Sequence, residues 1–378
     1  MSTKLYLSTT LTALFAGSAL AAPPEVSVDI APVHSLVAQV MGDLGEPNLI
    51  VSNGASPHEY SLRPSQAGDL QNAGIVFFVS PDLTPWLVDA VDNLATNAKV
   101  IELIEADGTA TLPFREGALF EAHGHDDDRD EHHEDHDDHD EHHDAHEEHH
   151  EDEHGHDDHE HHDDHEEHHD EHEEHHDEHH DDHEDHEAHH DEEHHDAHDD
   201  HGHDHDGVDP HAWLSPANAA AWIDVIAAEL IAADPDNAVS YRANAAMAKS
   251  GLDALNADIT ATLAPVQGKG FVVFHDAYQY FETAFDIPAT GSITVSDSTD
   301  PSPARIRDIQ TRVAENNVTC VLSEPQFAPG LVEAVMQGSA ANTGVIDPLG
   351  AHVTPGPDHY GQMMRDMAGS LATCLGGS

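Results

Sequence analysis

The chain has 378 residues, with 76 acidic and only 12 basic side chains, and its formal net charge at pH 7 is −64. Such an acidic protein is a poor partner for nucleic acid and a natural partner for cations. Even without its most acidic stretch, the chain is long enough for two modest domains.

Residues 1–21 predict a secretory signal peptide. Lys4 supplies a short positive region, residues 5–20 are mostly apolar or small, and Ala-Leu-Ala at 19–21 fits the small-x-small cleavage pattern. No cysteine lies near the cleavage site, which argues against a lipid anchor, and no later stretch reaches the length of a membrane span. We therefore expect a soluble exported protein, in a Gram-negative periplasm.

Residues 22–122 predict the first part of an N-terminal lobe. Short apolar or β-branched strands are expected at 25–31, 48–51, 74–79 and 99–103. Helical patterns lie between them, at 33–42, 65–72 and 86–94. Alternation of strand and helix at this spacing predicts a parallel sheet covered by helices.

Residues 123–206 form an insert of extreme composition. It holds 34 of the 40 histidines, 43 of the 76 acidic residues and a single basic one, Arg129. A segment with so few apolar side chains cannot offset the entropy of ordering, so we expect it to be disordered. An acidic solubility segment would explain the carboxylates but not the histidines. Imidazole is a common ligand of zinc, copper and nickel, and this composition therefore indicates metal contact.

The remaining sequence predicts the rest of two α/β lobes. Residues 207–234 complete the N-terminal lobe with a helix at 217–233, and residues 235–264 form a long connecting helix. Residues 265–378 form the C-terminal lobe, with strands at 270–274, 318–323 and 343–346. Its helices are expected near 278–285, 303–316, 330–339 and 358–375.

Cys320 and Cys374 are the two cysteines of the chain. In an exported protein an even pair predicts one disulfide, here between a strand and the C-terminal helix. Two thiolate metal ligands are the competing interpretation, which their wide separation argues against.

Several polar residues fall where strands end. His275 ends the strand at 270–274, His58 follows the strand at 48–51, and Asp347 follows the strand at 343–346, while His211 lies in a turn before a helix. In open α/β sheets, ligands bind at the carboxyl ends of the strands. We therefore expect these side chains to share one rim. The other histidines outside the insert are interpreted as structural; they are His34, His352 and His359.

Five motifs carry a resemblance that covers nearly the whole mature chain. They are SPHEYSLRPS at 56–65, DPHAWLS at 209–215, FHDAY at 274–278, SEPQF at 323–327 and DPLG at 347–350. Together they resemble bacterial periplasmic solute-binding proteins that feed zinc or manganese to ABC importers, most closely the zinc-uptake members. The resemblance implies two (β/α)-type lobes with parallel sheets, joined by a long rigid helix, with the metal in the cleft between them.

The resemblance also implies a ligand set. His58, His211 and His275 match the three metal-binding histidines of the family. The fourth ligand stays open between Asp347, Glu59 and a water, because Pro57 stands where some zinc members have an acidic residue. Three imidazoles and one oxygen suit tetrahedral zinc, whereas manganese prefers more carboxylate oxygen.

These expectations combine into a non-enzymatic zinc carrier. It would act as a monomer, hand Zn(II) to an inner-membrane ABC permease, need no catalytic cofactor and use the insert to gather or buffer zinc. A zinc hydrolase is one alternative, with Glu324 as the carboxylate to test. A zinc reservoir, in which the insert is the principal binder, is the other.

Overall fold

Two parallel four-stranded sheets, each covered by helices, organise the chain in the computed structural model. The structure describes residues 23–115, 207–294, 301–315, 317–327 and 330–377. The predicted signal peptide (1–21) and insert (123–206) lie outside the described residues.

The first sheet has the strand order β2-β1-β3-β4, with every neighbouring pair parallel. Its strands are β1 (Val26–Val28), β2 (Asn48–Leu49), β3 (Ile75–Phe78) and β4 (Lys99–Glu102). The helices between them are α1 (Ala31–Met41), α2 (Pro64–Asn72) and α3 (Pro85–Leu94). Each has a proline in its first turn, where the missing N–H costs no helical hydrogen bond.

Two longer helices follow, α4 (Pro216–Ala233) and α5 (Ala238–Leu263). Ser215 caps α4 by accepting a hydrogen bond from the Asn218 N–H at 3.3 Å. By length and hydropathy α4 could pass for a membrane span, which corrects the expectation that no such stretch follows the leader. Its apolar side chains, such as Trp222, pack in the protein core instead.

The second sheet has the order β6-β5-β7-β8, again parallel throughout. Its strands are β5 (Gly270–His275), β6 (Gly291–Thr294), β7 (Val318–Ser323) and β8 (Asn342–Val345). The helices around it are α6 (Gln279–Phe285), α7 (Pro303–Glu315), α8 (Gly330–Met336) and α9 (His359–Gly376). Strand β6 was not predicted, because in Gly-Ser-Ile-Thr only the isoleucine is strongly apolar.

The last helix, α9, joins the two halves of the described chain. It packs against α1 and α5, and one continuous hydrophobic cluster contains side chains from both sheets. A disulfide between Cys320 of β7 and Cys374 of α9 confirms the predicted pairing. The predicted α/β class with two parallel sheets and a long connecting helix is confirmed, and the domain boundaries stay a prediction.

Candidate metal centre

Three histidines from distant parts of the chain lie together. His58, His211 and His275 each offer a ring nitrogen, and the three nitrogens lie within 4.8 Å of one another. The ring centroids of His58 and His211 are 5.5 Å apart, and those of His211 and His275 are 5.3 Å apart. One divalent ion can bridge such a group, since zinc binds imidazole nitrogen at about 2.0–2.1 Å.

His211 is held by a carboxylate two residues before it. Its Nδ1 lies 2.7 Å from Asp209 Oδ1, and its backbone N–H donates to the same oxygen at 3.0 Å. Because the Nδ1–H is hydrogen-bonded to a carboxylate, Nε2 carries the lone pair and is the nitrogen that can bind a metal. Burial raises the pKa of Asp209 to about 7, and a divalent ion at His211 would favour the ionised carboxylate.

His275 is held in the same way by a residue from the neighbouring strand. It is the last residue of β5, and its Nδ1 lies 2.7 Å from Oε1 of Glu324, which directly follows β7. Both side chains are buried. Because β5 and β7 are parallel neighbours, their carboxyl ends bring the ring and the carboxylate together.

His58 is the most accessible of the three. It lies in the loop after β2 and is half-buried, whereas Glu59 beside it is exposed and lies outside the three-histidine group. The loop is anchored through its backbone, since Trp86 Nε1 donates to the Pro57 carbonyl oxygen at 2.8 Å. The His58 N–H also donates to Ser56 Oγ at 3.3 Å.

The rings border a cavity of about 20 Å³. A space of that size is enough for one water molecule or ion. Apolar side chains make up much of its wall; they are Pro57, Trp213, Phe327, Pro348 and Leu349. Such walls lower the local dielectric constant and strengthen the attraction between a cation and its ligands.

Asp347 lies outside the three-histidine group. Its Oδ1 accepts the N–H groups of Leu349 and Gly350 at 3.0 Å, and its Oδ2 accepts that of Ala351 at 2.6 Å. Gln326 Nε2 also donates to Oδ1 at 3.2 Å. The carboxylate therefore holds the turn after β8, and these bonds would have to rearrange before it could bind a metal.

The three histidines interpreted as structural are positioned accordingly. His34 and His359 are buried, and each places Nε2 against a backbone carbonyl oxygen, at 2.9 Å and 2.8 Å. His352 is exposed and pairs with Asp366 at 2.9 Å. None of them belongs to the metal-ligand group found among the described residues.

Sequence analysis missed the two carboxylates that orient the rings. From the sequence, Glu324 stands out only as a carboxylate for hydrolysis, and Asp209 only as part of a motif. A usable signal existed for each: Asp209 is two residues from His211, and Glu324 is the first residue after a strand of the same sheet as His275.

Comparison with known proteins gives consistent results. The family model "ZnuA: Zinc-uptake complex component A periplasmic" matches residues 26–374. The chain is 44% identical over 372 residues to the high-affinity zinc uptake system protein ZnuA of Brucella abortus (strain 2308), covering 98% of each chain. It is 39% identical over 354 residues to the protein of that name from Paracoccus denitrificans (strain Pd 1222), covering 93% of this chain and 92% of the relative.

A solved structure described as "Crystal structure of ZnuA" shares the fold. Its TM-score is 0.62 at 20% sequence identity, with 93% of this chain and 99% of that chain covered.

Proposed function

This chain belongs to the ZnuA family of periplasmic zinc-uptake components, and we propose that it binds Zn(II) at His58, His211 and His275 for delivery to an ABC importer. The observation that carries the proposal is the convergence of three imidazoles, two of them held by buried carboxylates. Zinc is then the transported ligand rather than a catalytic cofactor. The curated relatives are zinc uptake proteins, which fits this donor set.

The ligand chemistry supports zinc over manganese. Three neutral imidazoles and one oxygen complete a tetrahedral zinc shell, whereas manganese favours sites richer in carboxylate oxygen. Asp347 remains a candidate for the oxygen ligand, at the cost of its bonds to backbone N–H groups. A water molecule in the 20 Å³ cavity could supply the oxygen ligand without breaking the hydrogen bonds of Asp347.

We do not extend the proposal to hydrolysis. The alternative enzyme needed a carboxylate to act as general base beside a metal-bound water. Glu324, the residue considered for that role, binds His275 Nδ1 instead. The family is one of transport components.

The rest of the chain follows from the same proposal. We infer a signal peptide at 1–21, an N-terminal lobe at 22–122 and 207–234, a linker helix at 235–264 and a C-terminal lobe at 265–378. The insert at 123–206 would gather or buffer zinc, since it contains 34 histidines. We further infer a monomer that partners with an inner-membrane permease and not with nucleic acid.

Calorimetric titration of a variant that lacks residues 123–206 tests the proposal. We expect one tight Zn(II) site per chain, much weaker binding of Mn(II), and loss of the tight site in His211→Ala and His275→Ala. Thermal unfolding of each metal-free variant serves as the folding control. If tight binding disappears together with the insert, the protein is a zinc reservoir and the carrier proposal is wrong.

A further inference from the structure

Two short segments pair just before and just after the insert, and we call residues 112–115 and 207–209 the stem. The Asp209 N–H donates to the Leu112 carbonyl oxygen at 2.9 Å, and the Phe114 N–H donates to that of Gly207 at 3.3 Å. Pro113 and Val208 form an antiparallel bridge between them. The stem thus pairs the segment that precedes the insert with the segment that follows it, and its last residue, Asp209, lies two residues before His211.

A single tyrosine of the C-terminal lobe binds both arms of the stem. The Tyr280 hydroxyl, on α6, accepts the Leu112 N–H at 3.0 Å and donates to the Asp209 carbonyl oxygen at 2.8 Å. The side chain is buried, and burial raises the pKa of Tyr280 to about 12. The neutral hydroxyl can therefore donate and accept at once. Asp209 is consequently fixed at its N–H, its carbonyl oxygen and its carboxylate.

Arg115 makes a second connection between the stem and that lobe. Its guanidinium binds Glu282 through Nη1 at 2.8 Å and through Nη2 at 3.0 Å. It also binds Asp276, through Nε at 3.0 Å and through Nη2. The exposed fractions of the three side chains are 14% for Arg115, 9% for Asp276 and 5% for Glu282. Between side chains as buried as these, a bidentate Arg–carboxylate contact is strong and directional.

These contacts involve residues next to two of the proposed metal ligands. Asp209, fixed by the stem and Tyr280, binds the Nδ1 of His211. Asp276, fixed by Arg115, directly follows His275. His211 leads into α4 and His275 ends β5, so the stem connects a ligand of the inferred N-terminal lobe to a ligand of the inferred C-terminal lobe.

We propose that the stem is a clamp that holds His211 and His275 as a preformed pair, with Arg115 and Tyr280 as its positioning residues. The inference rests on the proposed function, since it concerns the same three-histidine site. His58 lies in the loop after β2 and is more exposed than the other two. It is then the ligand that completes the site last and leaves it first.

Zinc affinity of the full chain, measured by competition with a chelator, tests the clamp. Tyr280→Phe removes one hydroxyl and keeps the ring, and we expect about a tenfold loss of affinity at the tightest site. Arg115→Gln should lose about 10- to 100-fold, the range known for groups that orient metal ligands. Arg115→Lys keeps the positive charge but cannot make the bidentate contact, so its zinc affinity should lie between those of Arg115→Gln and the parent.

The absorption spectrum of bound Co(II) separates positioning from general stability. Both variants should shift the visible bands, because a displaced imidazole changes the ligand field. Tyr241→Phe is the matched control: it removes another buried tyrosine hydroxyl, which donates to Asp234 at 2.9 Å away from the site. It should leave affinity and spectrum unchanged.

The possible outcomes separate the clamp from the proposed function. Parent-like affinity and spectrum in Tyr280→Phe would overturn the clamp, even if Arg115→Gln fails to fold. An equal effect in Tyr241→Phe would overturn it as well. If His211→Ala and His275→Ala also left the tight site intact, the proposed function itself would be wrong.

Discussion

At the scale of single residues, the histidines of the cluster depend on carboxylates that do not bind the metal in our proposal. Asp209 and Glu324 each accept a hydrogen bond from the Nδ1–H of one ring, at 2.7 Å. The contact fixes the tautomer, fixes the plane of the ring and increases the basicity of Nε2. Two rings are thus prepared for a cation before it arrives, which lowers the ordering cost of binding.

Replacing Glu324 with glutamine should weaken zinc binding without unfolding the protein. The amide oxygen can still accept a hydrogen bond from the Nδ1–H, but a neutral acceptor polarises the ring less than a carboxylate does, and we expect about a tenfold loss of affinity. Chelator competition measures it. Glu333→Gln, an exposed substitution on α8 beside the same sheet, is the control and should bind zinc as the parent does. Equal affinities for the two variants would contradict the role of Glu324.

Asp29 offers a test of pH dependence away from the site. Its buried carboxylate accepts the N–H groups of Ile30 at 2.7 Å and Val79 at 2.8 Å, yet burial raises its pKa from 3.8 to about 7. A raised pKa in the folded state means that the stabilising contribution of this group is complete below about pH 4 and is lost as the pH rises through 7.

Asp29→Asn removes this titration. The free energy of unfolding of the parent, relative to that of the variant, should fall by about 3 kcal/mol between about pH 5 and about pH 8, at about 1.4 kcal/mol per pKa unit. Urea unfolding at the two pH values measures it, and the histidines of the insert cancel in the comparison. A difference that does not change with pH would disprove the raised pKa.

The residues of the site were predictable only in part. His275 ends β5 and His58 lies in the loop after β2, and the rule that ligands gather at the carboxyl ends of strands selects both, together with the motifs. Glu324 lies 49 residues beyond His275, and no local pattern reports a hydrogen bond over that distance. The carboxylate oxygens of Asp347 accept hydrogen bonds within a turn. The sequence alone does not distinguish this structural role from metal binding.

At the scale of elements, the central strands β1, β3, β5 and β7 were predictable because they are largely buried on both faces. Runs such as Ile75–Phe78 are continuous and apolar, and they stand out from the helical patterns between them. The short Gly291–Thr294 strand lacks that signal, and its pairing with β5 stabilises it instead. The start of α5 also differs from the prediction, since Pro235–Asn237 forms a 3-10 turn before the helix begins at Ala238.

The disulfide between β7 and α9 should contribute to stability and not to metal binding. Cys320 and Cys374 are 54 residues apart in sequence, and closing a loop of that length in the unfolded chain gives about 4 kcal/mol. The double variant Cys320→Ala/Cys374→Ala should lose about that much in urea unfolding while its zinc affinity stays the same. The parent under reducing conditions is the control and should match it. A loss of affinity alone would show that the bridge shapes the site.

At the scale of the whole molecule, charge is unevenly distributed along the chain. Residues 123–206 contribute 43 of the 76 acidic and one of the 12 basic side chains, so their net charge is −42 and that of the rest is −22. Negative charge of this size in both parts favours divalent cations, and the three-histidine group lies among the described residues.

The zinc capacity contributed by the insert should depend steeply on pH. Imidazole titrates near pH 6.5, and neighbouring carboxylates favour its protonated form, so protons displace the metal as the pH falls. The full chain should bind several more zinc ions than the variant lacking 123–206 at about pH 7.5, and few more at about pH 5.5. Equilibrium dialysis measures both. An unchanged excess at the lower pH would mean that carboxylates, and not imidazoles, bind the metal there.

The wide spacing of His58, His211 and His275 along the chain has a thermodynamic consequence. These rings meet only when both sheets and α9 are assembled, so zinc bound there, as we propose, binds the native state at a site that the denatured chain lacks. Saturation at a hundred times the dissociation constant would add about 2.7 kcal/mol against unfolding. Histidines that are contiguous in sequence need no such assembly and can hold metal in either state. The zinc-bound protein should therefore unfold at a higher temperature and resist proteolysis longer than the zinc-free protein.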